Sequence, residues 1–517
     1  MNNSFFPHSL PPLTEKQLED LLMNVKDYQL THGSLLKLVK TDEEHTVLSR
    51  PVGVSLFPSQ FPRSLFNQAL HIQHIFNELY VKVAEDEEWL YETLQDLIGN
   101  DQFTGILWSI HEAVKKVGYV QTASVGIFRS DYMIHLDVEL SQGKIAQASP
   151  ELKQVEFNSY TVAGGTHGNI IALLHRHLHT IGAYGAFYDS IEGTNSISSF
   201  PLNRTIAGIV DALTAAHKEY GGPINPSATH TGILMIVSPY NFNICDERPI
   251  EFSLWEQLPL IPCYRLDFGE DILQYTSLGP NRELLYSHPS CRYSPLEISV
   301  CYMRTGHEPR EYVPGAGYTA RLRLEESRAI KAPSLLSHLT TFKKVQQRLA
   351  LPGEIERFLS PEDSAFVRAT FMPMYPMDTT ELGIKGRDLA ENEESAKNHV
   401  LKPSLEGGGH NVYAGDIPRT LKTLSEENWK AYILMELIKT PPQNGMLISP
   451  RGAYEGPVVS ELGVFGTCLW RKKDDGEAEI QENNQSGWSF KTKPIDINEM
   501  SVVKGYGCFD SPFLVDI

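Results

Sequence analysis

Stretches with apolar residues at helical period alternate with short β-rich apolar runs along most of this chain, and that alternation constrains its fold more than any other feature. Helices are expected around 64–98, 105–117, 168–181, 205–219, 319–330 and 343–350, and strands near 119–137, 151–158, 232–238 and 296–303. Later runs at 398–403, 431–438 and 456–471 read as strands of a second sheet, separated by polar loops such as 379–397 and the charged stretch 472–488. The fold class implied is mixed α/β. The first helix carries its own start signal, because Thr14 and Gln17 stand in capping-box spacing ahead of Leu18, Leu21, Leu22 and Val25.

A chain of 517 residues can bury core enough for two or three domains, or for one set of interwoven subdomains. Its net charge of −19 opposes broad attraction to nucleic acid or to an anionic membrane surface, so neither partner is expected. A nucleotide remains possible, since a few inward cations and backbone N–H groups hold one locally. Cys245, Cys263, Cys291, Cys301, Cys468 and Cys508 form no CxxC pair, which suggests reduced thiols and neither a zinc knuckle nor a disulfide framework. No run approaches the ~18 apolar residues of a membrane span, and the first residues lack the pattern of a secretion signal. A cytoplasmic location is expected, or a secreted one if a signal peptide precedes this sequence.

Chemistry concentrates in Lys402-Pro403-Ser404-Leu405-Glu406-Gly407-Gly408-Gly409-His410-Asn411-Val412-Tyr413. Three glycines let backbone N–H groups approach a polyphosphate, Lys402 supplies a cation, and Glu406 offers a hard oxygen to Mg²⁺. Three glycines alone would read as a surface hairpin; the flanking lysine and acid favour phosphate. In Glu151-Leu152-Lys153-Gln154-Val155-Glu156-Phe157-Asn158, strand alternation puts Gln154, Glu156 and Asn158 on one face. Glu156 and Asn158 would make half of a Mg²⁺ site, although a solvated strand face would look the same. Glu436 and Glu461 are acids embedded in apolar strands, where an unpaired charge is costly.

In order along the chain, Phe128-Arg129-Ser130-Asp131-Tyr132-Met133, Val155-Glu156-Phe157-Asn158, Asn243-Ile244-Cys245-Asp246, Lys343-Lys344-Val345-Gln346-Gln347, the Lys402 run and Ser460-Glu461-Leu462-Gly463-Val464-Phe465-Gly466 resemble the eukaryotic glutathione synthetase family. The resemblance implies an ATP-grasp fold with an inserted α/β substrate-binding domain and two lid loops, one glycine-rich and one covering the substrate. It divides the chain into 1–229, an inserted 230–341 and an ATP-clamping 342–517. It implies a homodimeric ligase that uses ATP and Mg²⁺ to join γ-glutamylcysteine to glycine through an acyl phosphate. Glu156, Asn158 and Glu406 match metal ligands, and Lys343 and Lys402 match phosphate-binding lysines. Gly407, Gly408, Asn411 and Tyr413 match the ATP lid, Met435, Glu436 and Ile438 the adenine grip, and Glu461 and Lys493 further nucleotide contacts. Arg129 and Arg304 match arginines that orient substrate, and Arg310 matches another; guanidinium suits carboxylate and acyl phosphate.

Departures from the family gather around the substrates. Lys491 stands for the arginine that would clamp the acceptor's carboxylate, giving a point charge for a bidentate grip. Val502 and Val503 enlarge an alanine-rich lid, Glu247 replaces glutamine and His307 replaces tyrosine. The loop Thr161-Val162-Ala163-Gly164-Gly165 is one residue short and lacks a serine, whereas Asn243 keeps the pattern. A divergent ligase with a different acceptor amine or weak glycine activity, and an ATP-binding pseudoenzyme or interaction protein, stand as alternatives. The cluster His175-Arg176-His177-Leu178-His179 is discounted as a metal site, since only His175 and His179 share a helical face.

Overall fold

The computed structural model describes residues 5–6, 10–38, 48–137, 140–141, 144–145, 149–191, 196–404 and 410–517. The first helix, Glu15–His32, begins where its sequence signal places it: Gln17 N donates to Thr14 Oγ1 and Thr14 N donates to Gln17 Oε1. Leu21 and Val25 bury its inner face.

A mixed sheet of 13 strands forms the body. Its parallel half runs Cys263–Asp267, Thr231–Val237, Leu296–Met303 and Ile330–Ala332, reaching the long strand Ala123–His135. Every residue of Leu296–Met303 is buried, as are all of Thr231–Val237 after the first, as parallel strands covered on both faces require. The segment 230–341 thus extends the same sheet. Beyond Ala123–His135 the pairing turns antiparallel. Glu151–Asn158 lies along one side of that strand and Gly452–Lys472 along the other. Gly452–Lys472 is 21 residues long; its first part pairs with Gln443–Ser449 and its remainder with both Ala123–His135 and Ala478–Pro494.

A second, antiparallel sheet takes the order Met374–Pro376, Tyr432–Glu436, His399–Pro403 and Val412–Tyr413. It has its own small core, built on Met377, Leu401, Ile417, Leu421 and Leu434. The runs at 398–403, 431–438 and 456–471 are therefore strands, but the third belongs to the large sheet.

Three expectations need correction. The stretch 64–98 is two helices, Arg63–Glu85 and Glu87–Asn100, because Asp86 accepts from Trp89 N at 3.0 Å and caps the second. The loop expected at 379–397 holds the helices Glu381–Glu391 and Glu393–Ala396, capped by Thr380 and Asn392; polar cap residues imitate loop composition. Within 472–488, the strand Ala478–Pro494 begins after a turn, and its charges sit on a half-exposed hairpin.

His175 is fully buried and bonds Tyr184 through Nδ1 at 2.7 Å, so the histidine cluster is structural. Among the described residues no group of His, Cys, Asp and Glu is arranged to hold a metal unaided, and all six cysteines are free. No described helix is long and apolar enough to cross a membrane. Replacing Thr14 by Ala removes the cap and is expected to lower unfolding stability by about 1 kcal/mol, read from the urea midpoint at unchanged slope.

Candidate active site

A cleft of about 590 Å³ opens between the two sheets. The large sheet contributes Arg129, Asp131, Glu156, Asn158, Glu461, Lys491 and Lys493; the small sheet contributes Lys402, Tyr413, Met435 and Glu436. Lys343, at the start of the helix Lys343–Leu349, reaches the same space.

Glu156 is the hub. It pairs with Lys343 Nζ at 3.0 Å, and Asn158 Nδ2 donates to its Oε1 at 3.3 Å. Burial alone would raise the Glu156 carboxyl, but Lys343, Lys402 and Arg129 outweigh it and hold the group well below the usual carboxylate range. Lys402 crosses from the small sheet and donates to Val155 O at 2.8 Å. Burial lowers the Lys402 ammonium to about 8, and Lys343 adds to that effect against the pull of Glu156. Arg129 grips Asp131 through Nε and Nη2, each at 2.7 Å, and donates from Nη1 to Ala163 O at 2.7 Å.

Strict alternation does not hold in Glu151–Asn158. Asp131 faces Glu156 while its neighbour Tyr132 faces Gln154, so Val155 is an extra, bulged residue. Gln154 consequently turns into the interior, where Gln346 Nε2 donates to it at 3.1 Å. Of the three residues expected on the cleft face, Glu156 and Asn158 keep it.

Asn158 spends its Nδ2 on Asp131 at 3.1 Å as well as on Glu156, which turns its carbonyl oxygen away from both carboxylates. An ionised carboxylate beside an amide oxygen is a donor set suited to a hard divalent cation. Glu406, Gly407 and Gly408 lie outside the described residues. Asn411 N donates to Glu499 Oε1 at 3.2 Å, joining the strand after the glycine run to the 495–500 segment that lines the far wall. Glu436 accepts from Tyr375 OH at 3.2 Å beside Met435 and Ile438. Glu461 and Lys491 are cross-strand partners 2.6 Å apart; burial still raises the Glu461 carboxyl, with Lys491 opposing. Burial lowers the Lys493 ammonium, which donates to Ile497 O.

Of the expected substrate residues, Arg129, Thr161, His307 and Lys491 line the cleft; Asn243, Glu247, Arg304, Arg310, Val502 and Val503 do not. Arg304 lies behind the 161–164 loop, donating to Val162 O and to Asp246 Oδ2 at 3.2 Å. Asp246 in turn accepts from Gly164 N at 2.9 Å and Thr166 N at 3.1 Å. Asn243 bonds His167, and Glu247 pairs with Arg265 and Arg304. These groups hold the loop that forms the wall. Arg310 points outward, with 82% of its side chain exposed, and pairs with Glu308. Val502 is buried in a core with the first helix, and Val503 packs against that core, so neither faces the cleft.

Two groups escaped the sequence reading. Asp131 is legible in retrospect, two residues from Arg129 on the same strand face. Glu499 carries no motif and reaches the site only through the fold. Among the described residues three non-glycines have positive φ, and two of them, Thr161 at 45° and Ala414 at 48°, line this cleft. Such strain is concentrated where a site over-determines its backbone.

The family model for the eukaryotic glutathione synthase ATP binding domain matches residues 15–514. The glutathione synthetase large chain of Schizosaccharomyces pombe is 33% identical over 506 residues, covering 96% of this chain and 98% of its own. The glutathione synthetase of Homo sapiens is 33% identical over 505 residues, covering 97% and 98%. A solved structure of a glutathione synthetase-like effector from Globodera pallida, in its apo form, superposes with a TM-score of 0.72 at 21% identity, covering 98% of this chain and 100% of that one; it bears on the fold alone. A match of this length to the family, with relatives above 30% identity along nearly all of both chains, means that this protein belongs to the eukaryotic glutathione synthases, ATP-dependent ligases.

Proposed function

We propose that this glutathione synthetase-type ligase activates the terminal carboxylate of γ-glutamylcysteine as an acyl phosphate and passes it to the amine of glycine. A free carboxylate is a poor electrophile with no good leaving group, which is why a phosphoryl group must come first. The observation that carries the reading is the convergence of Lys343, Lys402, Glu156, Asn158 and Arg129 on one cleft from both sheets. These residues have little structural reason to meet there.

In this reading the ATP-grasp classification applies, with the small sheet, its edge strand Val412–Tyr413 included, clamping the nucleotide. Lys343 and Lys402 hold phosphate oxygens and oppose the charge that develops on the transferring group. Met435 and Ile438 flank the adenine, and Glu436 offers it an acceptor. Glu156 and Asn158, with Glu406, would hold Mg²⁺, which when bound supplies positive charge to the phosphate oxygens. Arg129, fixed by Asp131, keeps its guanidinium beside the metal-binding face and orients the carboxylate to be activated. Thr161, His307 and Lys491 line the substrate side, and Arg304, Asn243 and Glu247 act as positioning residues through the 161–164 loop. The segment 230–341 supplies Arg304 and His307, consistent with a substrate-binding role. The family resemblance carries the further proposal of a homodimer.

Measured with γ-glutamylcysteine, ADP release should require glycine and fall with β-alanine or serine; release independent of any amine, or none with any, overturns the reading. Glu156→Gln and Lys402→Ala should each lower kcat/KM for ATP by roughly 10²-fold or more, whereas a substitution of the exposed His177 should leave it unchanged. Lys402 is charged below its pKa of about 8 and loses its proton above it, so KM for ATP should rise as pH passes 8. Lys402→Arg, always charged, should flatten that rise if it folds and turns over.

A further inference from the structure

Behind the strand that carries Lys491 and Lys493 lies Asp510, a fully buried carboxylate that no Lys or Arg among the described residues pairs with. Lys491 and Lys493 stand two residues apart on Ala478–Pro494 and line the cleft, so the side chain of Thr492 between them turns to the opposite face. There Thr492 Oγ1 donates to Asp510 Oδ2 at 2.6 Å. Asp510 also accepts from Ser59 Oγ at 2.6 Å and from Ser511 N at 2.7 Å. The basic side chain that approaches it is His175, whose Nε2 stays 3.9 Å away; burial holds that imidazole down at about 3, so it is neutral. Burial raises the Asp510 carboxyl to about 6, with the bonds from Ser59 and Thr492 opposing. The donors around Asp510 are thus what keeps a charge there.

Their protons point one way. A hydroxyl has a single proton, and Thr492 spends its own on Asp510, so in the 2.8 Å bond between Ser460 and Thr492 it is Ser460 that donates. Ser460 is the cross-strand partner of Thr492 and precedes Glu461. Bonds from Ser460 through Thr492 to Asp510 therefore run along the back of two strands whose front carries Glu461, Lys491 and Lys493. The short strand Cys508–Asp510 pairs with Ala478–Pro494 only as far as Thr492, which leaves Lys493 past the last paired residue on that side. After Asp510 the chain leaves the large sheet, and Pro512–Val515 pairs instead with Ser59–Pro62. Asp510 sits at that junction and is bonded to both sides of it. We propose that Asp510 is a positioning residue of the ligase, setting Lys491 and Lys493 at the cleft by anchoring Thr492 from behind. An ionised acceptor suits the task, because its hydrogen bonds are shorter and stronger than those between neutral groups. The inference rests on the reading of Lys493 as a nucleotide contact and of Lys491 as substrate-facing.

Thr492→Val and Ser59→Ala each remove one hydroxyl from Asp510, the first toward the lysines and the second away from them. Both should lower the urea midpoint of the full chain. Thr492→Val alone should raise the Kd for Mg-ATP, read by calorimetry, and the KM for glycine, each roughly tenfold and with less change in kcat. Thr492→Ser, which keeps the hydroxyl, should restore both constants. Asp510→Asn, which keeps the shape and loses the charge, should raise the same two and serves if Thr492→Val does not fold. Loss of stability without change in either constant, or an equal rise in Ser59→Ala, overturns the inference. Lys493→Met separates it from the reading beneath it, and the calorimetry needs no turnover. If Lys493→Met binds Mg-ATP as the parent does, the nucleotide reading falls and this inference with it; if Lys493→Met binds weakly and Thr492→Val normally, the inference alone falls.

Discussion

The carboxylate of Glu156 is the point at which the two phosphate-facing lysines of the cleft meet. Glu156 sits among Lys343, Lys402 and Arg129; Asp131 already answers Arg129, but without Glu156 the two lysines would be cations brought together in a partly dehydrated space. Beyond burial, Lys343 lowers the Lys402 ammonium by repulsion, and Glu156 opposes that effect on both partners. The carboxylate lets the cations be stored close to where phosphate charge arrives. Its own ionisation is secured by the same neighbours, so the cluster is self-consistent before any ligand enters.

Around that hub the fold sets two walls with separate cores. One wall is the large sheet, with Ala123–His135 flanked on both sides by partners and backed by aromatic packing such as Tyr80 on Phe157 at 3.6 Å. The small sheet keeps a separate core and reaches across through Lys402. Behind the substrate side, Arg304 and Asp246 tie the 161–164 loop to the start of the helix Gly165–Thr180, with charge-assisted bonds in a buried setting where they are strong. A loop held this firmly from behind can keep Thr161 in the left-handed region.

Local signals in the sequence were reliable wherever one interaction governed the outcome. The Thr14 cap, the apolar strands Thr231–Val237 and Leu296–Met303, and the helix Thr205–Tyr220 all fall where pattern places them. The motif residues with cations or carboxylates in short order, Glu156, Asn158, Lys343 and Lys402, are the ones found together. Pattern failed where a tertiary contact reassigns a residue. The bulge at Val155 is set by pairing with Ala123–His135 and cannot be seen in Glu151–Asn158 alone. The capped helices of 381–396 look like loop because their punctuation is polar. Arg304, Asn243 and Glu247 stand near the substrate in sequence order but one layer back in space, and Arg310 faces outward.

The strand Gly452–Lys472 links these layers in a way that bears on how such a chain can change. It runs unbroken for 21 residues between neighbours drawn from both ends of the polypeptide, and Glu461 sits near its middle, opposite Lys491. Deleting a single residue before that point would invert the direction of the side chains that follow it, sending the carboxylate into the interior and Leu462 toward the cleft. Tolerated changes of length are thereby channelled to the turn at 473–477, where an added residue alters the Lys473–Glu477 closure but leaves the register of the two arms, from Lys472 opposite Ala478 onward, as it is.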